Sequence, residues 1–141
     1  MEKENAIKSN MITQESELKK NTVRILKGSA FAIIFSLILL LAFALLLTYT
    51  ELSEETIVPV VITVVGISIL VGSMVSTRKI KKNGLINGGL VGLIYVIILY
   101  LASSLCLVGF SISMQSFILL AVAMLTGMIG GVIGVNLNRK A

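Results

Sequence analysis

The pattern of charged and apolar positions divides the chain into long uncharged stretches separated by short polar segments. No charged residue lies within the 23 residues 28–50, the 22 residues 56–77 or the 56 residues 83–138. A helix of about 20 apolar residues crosses the roughly 30 Å hydrocarbon core of a bilayer. Each of the first two stretches is long enough for one crossing, and the third is long enough for two. The pattern therefore predicts an integral membrane protein.

The third stretch must be divided, because one helix of 56 residues would be far longer than a bilayer is thick. We place the break at residues 108–115, where a glycine and three polar residues collect. The predicted fold class is all-α, an integral membrane bundle of four transmembrane helices within residues 25–138. The spans are predicted at 27–49, 56–77, 84–106 and 116–137. Residues 1–24 are expected to form a mobile cytoplasmic tail, and residues 139–141 a short cytoplasmic C-terminus.

The basic residues predict the orientation of the bundle. All 12 Lys and Arg residues lie in three segments: six within residues 1–27, four between the second and third spans, and two at the C-terminus. The first hairpin loop instead carries Glu51, Glu54 and Glu55. Because Lys and Arg accumulate on the cytoplasmic side of a membrane, four spans with both termini in the cytoplasm place every cation on one side. Three or five spans would divide the cations between the two sides.

Every predicted span carries a row of small residues at helical spacing, which we call a small-residue seam. Small residues at positions i, i+4 and i+8 let two helix backbones approach closely, which is how helices associate in lipid. The seams lie at Gly28, Ala32 and Ser36 in span one; Ser68, Gly72 and Ser76 in span two; Gly84, Gly88 and Gly92 in span three; and Ala123, Gly127, Gly130, Gly131 and Gly134 in span four. They predict a tight or self-associating bundle, although glycine is also common in membrane helices generally. The pattern leaves open whether the seams face one another or another subunit.

The two predicted hairpins resemble each other in their glycine spacing. The start of span one at Gly28 aligns with the start of span three at Gly84, and Gly72 in span two aligns with Gly130 in span four. Both hairpins begin in the cytoplasm, so a duplication would give a parallel repeat about an axis along the membrane normal. A chance alignment of glycine-rich helices is an equal alternative.

The residue types inside the spans exclude several kinds of chemistry. Ionisable side chains within a membrane serve as proton relays, ion paths and counter-ions, and apart from Lys27 at the cytoplasmic end of span one the spans hold no Asp, Glu, Lys, Arg or His. The chain has no His, no Asp and a single cysteine, Cys106, so we expect no metal site, no cofactor and no intramolecular disulfide. A nucleophilic Ser or Cys would also lack an intramembrane base. The sequence therefore predicts a protein that is not an enzyme.

Polar residues border the spans at the predicted cytoplasmic side. Asn87 lies about one turn inside span three, where we expect its amide to bond a neighbouring helix, with a contribution of roughly 0.6–2 kcal/mol. A basic cluster fixes the topology, binds anionic lipid head groups, or does both; it consists of Arg78, Lys79, Lys81 and Lys82. Because the net charge of +5 arises at helix ends, no nucleic-acid partner is expected.

Two segments of the chain resemble a known family. One lies within residues 72–102 and contains Lys82-Asn83-Gly84, then Gly88, then Gly92-Leu93-Ile94-Tyr95; the other is the glycine-rich stretch 127–136. Over residues 22–138 the chain resembles the YrzE-like group, which are small, uncharacterised four-span membrane proteins of Gram-positive bacteria. The resemblance implies four spans in a bacterial plasma membrane, and it implies no particular activity.

These observations leave two functions open. The leading interpretation is a non-enzymatic, multi-pass membrane protein that acts through glycine-mediated helix packing as a self-associating or accessory subunit. Its partners would be the lipid bilayer and either a second copy or another membrane protein. The alternative is a small oligomeric channel or an uncoupled transporter built from several copies. The two differ in whether the polar seams face protein or a water-filled path.

Overall fold

Four long α-helices make up the computed structural model, which describes residues 1–106 and 113–140. The helices are α1, Glu2–Tyr49; α2, Ile57–Thr77; α3, Gly84–Cys106; and α4, Met114–Lys140, with a 3-10 turn, Glu54–Thr56, before α2. Within these two described ranges there is no strand. The prediction of an all-α fold with four helices is confirmed. The predicted break at 108–115 lies largely outside the described residues.

Each helix is long and apolar enough to cross a membrane. The shortest, α2, has 21 residues, which is about 31 Å at 1.5 Å per residue. Large apolar side chains such as Leu41, Ile62, Leu101 and Phe117 are exposed along all four helices. A bundle with so much apolar surface needs lipid around it rather than water. The chain is therefore a multi-pass membrane protein.

Local sequence explains where α2 ends and α3 begins. The Ile80 N–H donates a 2.9 Å hydrogen bond to the Thr77 carbonyl, which closes a tight turn directly after α2. Asn83 then adopts a φ of 59°, in the left-handed region that Asn enters more readily than most residues. α3 begins at the next residue, Gly84. At the other end of α2, Pro59 lies in the first turn, where a helix does not use the N–H that proline lacks.

The first helix differs from the prediction because it continues far beyond the uncharged stretch. The sequence predicts a tail before a span at 27–49, whereas α1 is a single helix of 48 residues. Residues 2–24, which we call the projecting helix, extend about 35 Å at 1.5 Å per residue. Ion pairs about one turn apart support it: Lys8–Glu4 at 3.4 Å, Lys19–Glu15 at 3.7 Å and Lys20–Glu17 at 3.8 Å. The mobility expected of this segment stays a prediction.

The helices form a ring in the order α1, α2, α4, α3. α1 packs against α2 and α3, and α4 packs against the same two helices. α2 and α3 also touch across the centre, whereas α1 and α4 make no contact and stand at opposite corners. The core between them contains Ala32, Val65, Ile69, Tyr95 and Ala123. Every helix therefore has one face covered by protein and the remainder free for lipid.

The helices pack closely in one half of the bundle only. The buried residues lie within 25–36 of α1, 65–77 of α2, 84–95 of α3 and 123–134 of α4. These segments share the half that carries the α2–α3 connection, and we call it the packed half. The opposite half, which we call the open half, has no buried residue in the part of the chain that the structure describes. The small-residue seams all fall in the packed half.

Candidate functional site

The seams of α3 and α4 lie directly against each other in antiparallel register. Three glycines of α3 face three small residues of α4: Gly84 faces Gly131, Gly88 faces Gly127, and Gly92 faces Ala123. A Cβ placed on Gly88 would lie 2.7 Å from the Gly131 Cα, and one placed on Gly84 would lie 2.6 Å from the Gly131 carbonyl oxygen. Such distances are well inside van der Waals contact, so any side chain there would force the two helices apart.

A second close contact joins α1 to α2. A Cβ placed on Gly28 would lie 2.9 Å from the Gly72 carbonyl oxygen, and one on Gly72 would lie 2.8 Å from the Gly28 carbonyl oxygen. Ala32 packs against Gly72 from the next turn of α1. The Ser76 hydroxyl donates a 2.9 Å hydrogen bond to the Arg24 carbonyl, which adds a polar link to the same interface. The seams of the first hairpin therefore pair as those of the second do.

The fourth helix carries a further seam that faces α2. A Cβ on Gly130 would lie 3.1 Å from the Leu70 Cα, and a Cβ on Gly134 would lie 3.0 Å from the Met74 Cα. The sequence groups all the small residues of α4 into one row, whereas the structure divides them between two partners. Gly127 and Gly131 contact α3, and Gly130 and Gly134 contact α2. The glycines of α4 thus contact a helix of each hairpin.

Serine hydroxyls in the packed half bond mainly within their own helices. Ser68 is fully buried, and its hydroxyl donates a 2.7 Å hydrogen bond to the Val64 carbonyl one turn earlier. Ser29 on α1 is also buried, and its hydroxyl lies 3.5 Å from the Val91 carbonyl of α3. The sequence did not single out Ser29, because it is offset by one residue from the seam at Gly28. These hydroxyls are satisfied without any need for water in the bundle.

The structure gives Asn87 a local partner in place of the expected neighbouring helix. Its side-chain amide donates a 3.5 Å hydrogen bond to the carbonyl of Lys82, which lies in the connection before α3. The left-handed conformation of Asn83 turns the chain so that this carbonyl comes within reach of the first turn of α3. The residue that was expected to join helices therefore stabilises the start of its own helix.

Tyr95 is a central residue that the sequence did not select as a site residue. Its side chain has no exposed surface, and its hydroxyl lies beside Ser36 of α1. The Ser36 hydroxyl donates to the Ile33 carbonyl at 2.8 Å. The sequence could have identified Tyr95 from its position, because it continues the face of α3 that carries Gly88 and Gly92.

The basic cluster of the α2–α3 connection is divided between two surface grooves. One has a volume of about 1130 Å³ and lies between the projecting helix and the connection, where Lys79, Lys81 and Lys82 line it beside Asn87. The other has a volume of about 630 Å³, lies between α1 and α2, and receives only Lys79 from the cluster. Arg78 is not among the residues that line either groove.

The arrangement offers helix packing and surface charge. Among the residues described, no group of three or more His, Cys, Asp or Glu side chains could hold a metal ion. Cys106 is exposed at the end of α3, away from the packed half. The site can hold four helices at fixed separations and can attract anions at its basic end.

The chain matches a protein family over most of its length. The family described as "Protein of unknown function (DUF3792)" matches residues 21–134. That range includes the seams of all four helices and excludes most of the projecting helix. No curated protein and no solved structure matches the chain.

Proposed function

We propose that this chain, which belongs to the family of proteins of unknown function (DUF3792), is a non-enzymatic accessory subunit of a membrane assembly. In this proposal the bundle folds as a single chain through its glycine contacts, and the projecting helix contacts a partner protein outside the membrane. The observation that carries the proposal is a row of exposed apolar side chains on the projecting helix.

The seams support a bundle that folds alone. Gly28 and Gly72 contact each other, Gly88 contacts Gly127 and Gly131, and Gly130 contacts α2, all within one chain. Self-association through these seams, which the sequence left open, would require the intramolecular contacts to separate. A partner is therefore expected to bind another surface.

The projecting helix provides such a surface. Ile7, Met11 and Leu18, which we call the apolar stripe, are 59%, 63% and 66% exposed. At 100° per residue they fall within an arc of about 40°, and the same arc contains Ile25, the first buried residue of α1. The face of α1 that the bundle covers thus continues uncovered along the projecting helix. Apolar side chains one or two turns apart are how a helix binds a hydrophobic groove or another helix.

The alternative function, a small oligomeric channel or uncoupled transporter, has no specific observation in its favour. Ile69, Val91 and Tyr95 have no exposed surface and fill the interior of the packed half. A solute would therefore have to pass between copies of the chain rather than through one bundle.

We further propose a location in a bacterial plasma membrane, with both termini in the cytoplasm. The support is the distribution of the 12 Lys and Arg residues, which lie in three segments on one side of a four-span bundle. The glycine-rich segments also resemble the YrzE-like proteins of Gram-positive bacteria. In this orientation the packed half lies in the inner leaflet, and the projecting helix lies in the cytoplasm.

The test compares two triple variants of the tagged full chain by native mass spectrometry after extraction from its own membrane in mild detergent. The first variant carries three new charges on the apolar stripe: Ile7→Glu, Met11→Glu and Leu18→Glu. The matched control carries the same three charges on the opposite face of the projecting helix: Asn5→Glu, Ser9→Glu and Ser16→Glu.

We expect a second polypeptide at fixed stoichiometry with the wild type and the control, and its loss from the stripe variant. Thermal unfolding of the bundle should be the same for both variants, because neither set of changes touches the packed half. Homo-oligomers without another chain would contradict the accessory function. Retention of the partner by the stripe variant would contradict the assignment of the binding surface.

A further inference from the structure

A groove between α1 and α2, at the end of the packed half, is lined by cations. Its volume is about 630 Å³, and we call it the basic groove. Its basic side chains are Lys19, Lys20, Arg24, Lys27 and Lys79, and no acidic residue lines it. Four of these five cations come from α1, and the groove shares only Lys79 with the cluster in the α2–α3 connection that the sequence suggested for lipid binding.

The positive charge of the basic groove is only weakly neutralised. Lys19 and Lys20 pair with glutamates at 3.7 and 3.8 Å, but all four side chains are more than half exposed, and such pairs contribute little. Across the described residues, Arg24, Lys27 and Lys79 have no ion-pair partner. The Arg24 guanidinium donates a 2.9 Å hydrogen bond to the Lys79 carbonyl, which holds it beside the groove without neutralising its charge.

The groove continues from its cations onto apolar side chains. Val23, Phe31 and Val75 also line it, and Phe31 and Val75 are 44% and 48% exposed. Lys27 is the last charged residue before the uncharged stretch 28–50, so it marks the depth at which α1 enters the hydrocarbon. Phe31 lies one turn further, about 6 Å deeper along the helix. The groove therefore crosses from the head-group layer into the acyl-chain layer.

We propose that the basic groove binds one anionic phospholipid. Its phosphate lies among Arg24, Lys27 and Lys79, and one acyl chain follows Phe31 and Val75. A phosphodiester supplies the negative charge and the acceptor oxygens that guanidinium and ammonium groups bind. A lipid also supplies an apolar chain that runs in the same direction as the groove. The proposal is independent of the partner protein suggested for the apolar stripe.

The test is native mass spectrometry of the purified full chain in mild detergent, titrated with phosphatidylglycerol and, in parallel, with neutral phosphatidylcholine. The groove variant combines Lys27→Gln with Lys79→Gln. The matched control combines Lys81→Gln with Lys82→Gln, which removes the same charge from the α2–α3 connection but leaves the basic groove intact. Circular dichroism establishes that all variants keep the helical content of the wild type.

The wild type is expected to bind one phosphatidylglycerol in preference to phosphatidylcholine. Loss of two interfacial cations should weaken phosphatidylglycerol binding by about 30-fold in the groove variant, whereas the control should bind nearly as the wild type does. The conservative pair Lys27→Arg and Lys79→Arg should keep the affinity. Equal weakening of the groove variant and the control, or unchanged binding by the groove variant, would overturn the proposal. Displacement of the lipid by inorganic phosphate would also overturn it, because the apolar part of the groove would then contribute nothing.

Discussion

Replacing Gly88 by alanine would add one methyl group between the backbones of α3 and α4. The new Cβ would lie 2.7 Å from the Gly131 Cα and 2.9 Å from the Gly131 nitrogen, with the Gly127 carbonyl oxygen also in contact. All of these are backbone atoms, so no side-chain rotation can relieve the overlap. Since carbon atoms pack at about 3.5–4.0 Å, the two helices would have to separate by about 1 Å at this point.

The expected loss of stability follows from that separation. An extra methylene in a well-packed core typically lowers the free energy of unfolding by about 1–3 kcal/mol. Because the atoms around this methyl group are backbone atoms that cannot rotate away, we expect the overlap in Gly88→Ala to cost about 3 kcal/mol. The greater helix propensity of alanine offsets about 1 kcal/mol of this loss. We therefore expect the free energy of unfolding to fall by about 2 kcal/mol, which is a factor of roughly 30 in the unfolding equilibrium constant.

Gly66→Ala is the matched control for this prediction. A Cβ on Gly66 meets no atom within 4 Å, so this change has the same helix-propensity effect without the overlap. Pulse proteolysis of each purified variant in mixed micelles, at increasing proportions of sodium dodecyl sulfate, measures the free energy of unfolding. Gly66→Ala should be as stable as the wild type or slightly more so. Equal unfolding midpoints for Gly66→Ala and Gly88→Ala would refute the reasoning.

A double variant tests whether the loss arises at the contact between α3 and α4. Gly131→Ala places a methyl group on the other side of the same contact, where the Gly88 Cα would lie 2.7 Å away. Once one methyl group has separated the helices, the second has less overlap to relieve. The loss for Gly88→Ala with Gly131→Ala should therefore be smaller than the sum of the single losses. Strict additivity would show that the two glycines do not share one contact.

Three other predictions concern single side chains. Tyr95→Phe should change the free energy of unfolding by no more than about 1 kcal/mol, because it removes one hydroxyl beside Ser36 and keeps the buried ring; a loss well above that in the same unfolding assay would contradict this. Ser76→Ala should lower the free energy of unfolding by about 1 kcal/mol, because the Cβ contacts remain and only the hydrogen bond to the Arg24 carbonyl is lost. An unchanged free energy of unfolding would show that this bond does not contribute to stability. With both termini in the cytoplasm, the exposed Cys106 should react with a membrane-impermeant maleimide in intact cells. In a chain with Cys106→Ser, Asn5→Cys should react only after permeabilisation, and the reverse pattern would exclude the proposed orientation.

The all-α fold and its four helices could be predicted from the sequence. Charged residues mark the ends of the uncharged stretches. A helix that extends far past such an end leaves the hydrocarbon of the bilayer. α3 begins at Gly84, the residue given for the start of the third span. The projecting helix was not predicted, because ion pairs one turn apart are a weak local signal and the apolar residues on one face, Ile7, Met11 and Leu18, are few and widely spaced.

The existence of the seams could be predicted, but their partners could not. Gly127, Gly130, Gly131 and Gly134 lie on adjoining parts of one helix surface, and any of them permits close approach by any neighbouring helix. Their division between α3 and α2 depends on where those two helices stand around α4. That placement is a property of the whole bundle, and no short segment of sequence encodes it.

The grooves depend on long-range contacts in the same way. Lys27 and Lys79 are far apart in the sequence, and they line one groove because Gly28 and Gly72 hold α1 against α2. Asn87 illustrates the opposite case, in which a local turn decides the outcome. Its position suggested a neighbouring helix, but the conformation of Asn83 brings a nearer carbonyl into reach.

Changes in bilayer thickness act unequally on the two halves of the bundle. In the packed half, backbone atoms meet backbone atoms at the glycines, and no side chain can rotate to let the helices tilt. In the open half the helices have lipid as their main neighbour, so tilting or bending there breaks few interhelical contacts. A transmembrane helix adapts to hydrophobic mismatch by tilting, kinking or deforming the lipid around it. Adaptation to a thicker or thinner membrane should therefore fall on the open half, while the projecting helix and the basic groove keep their geometry.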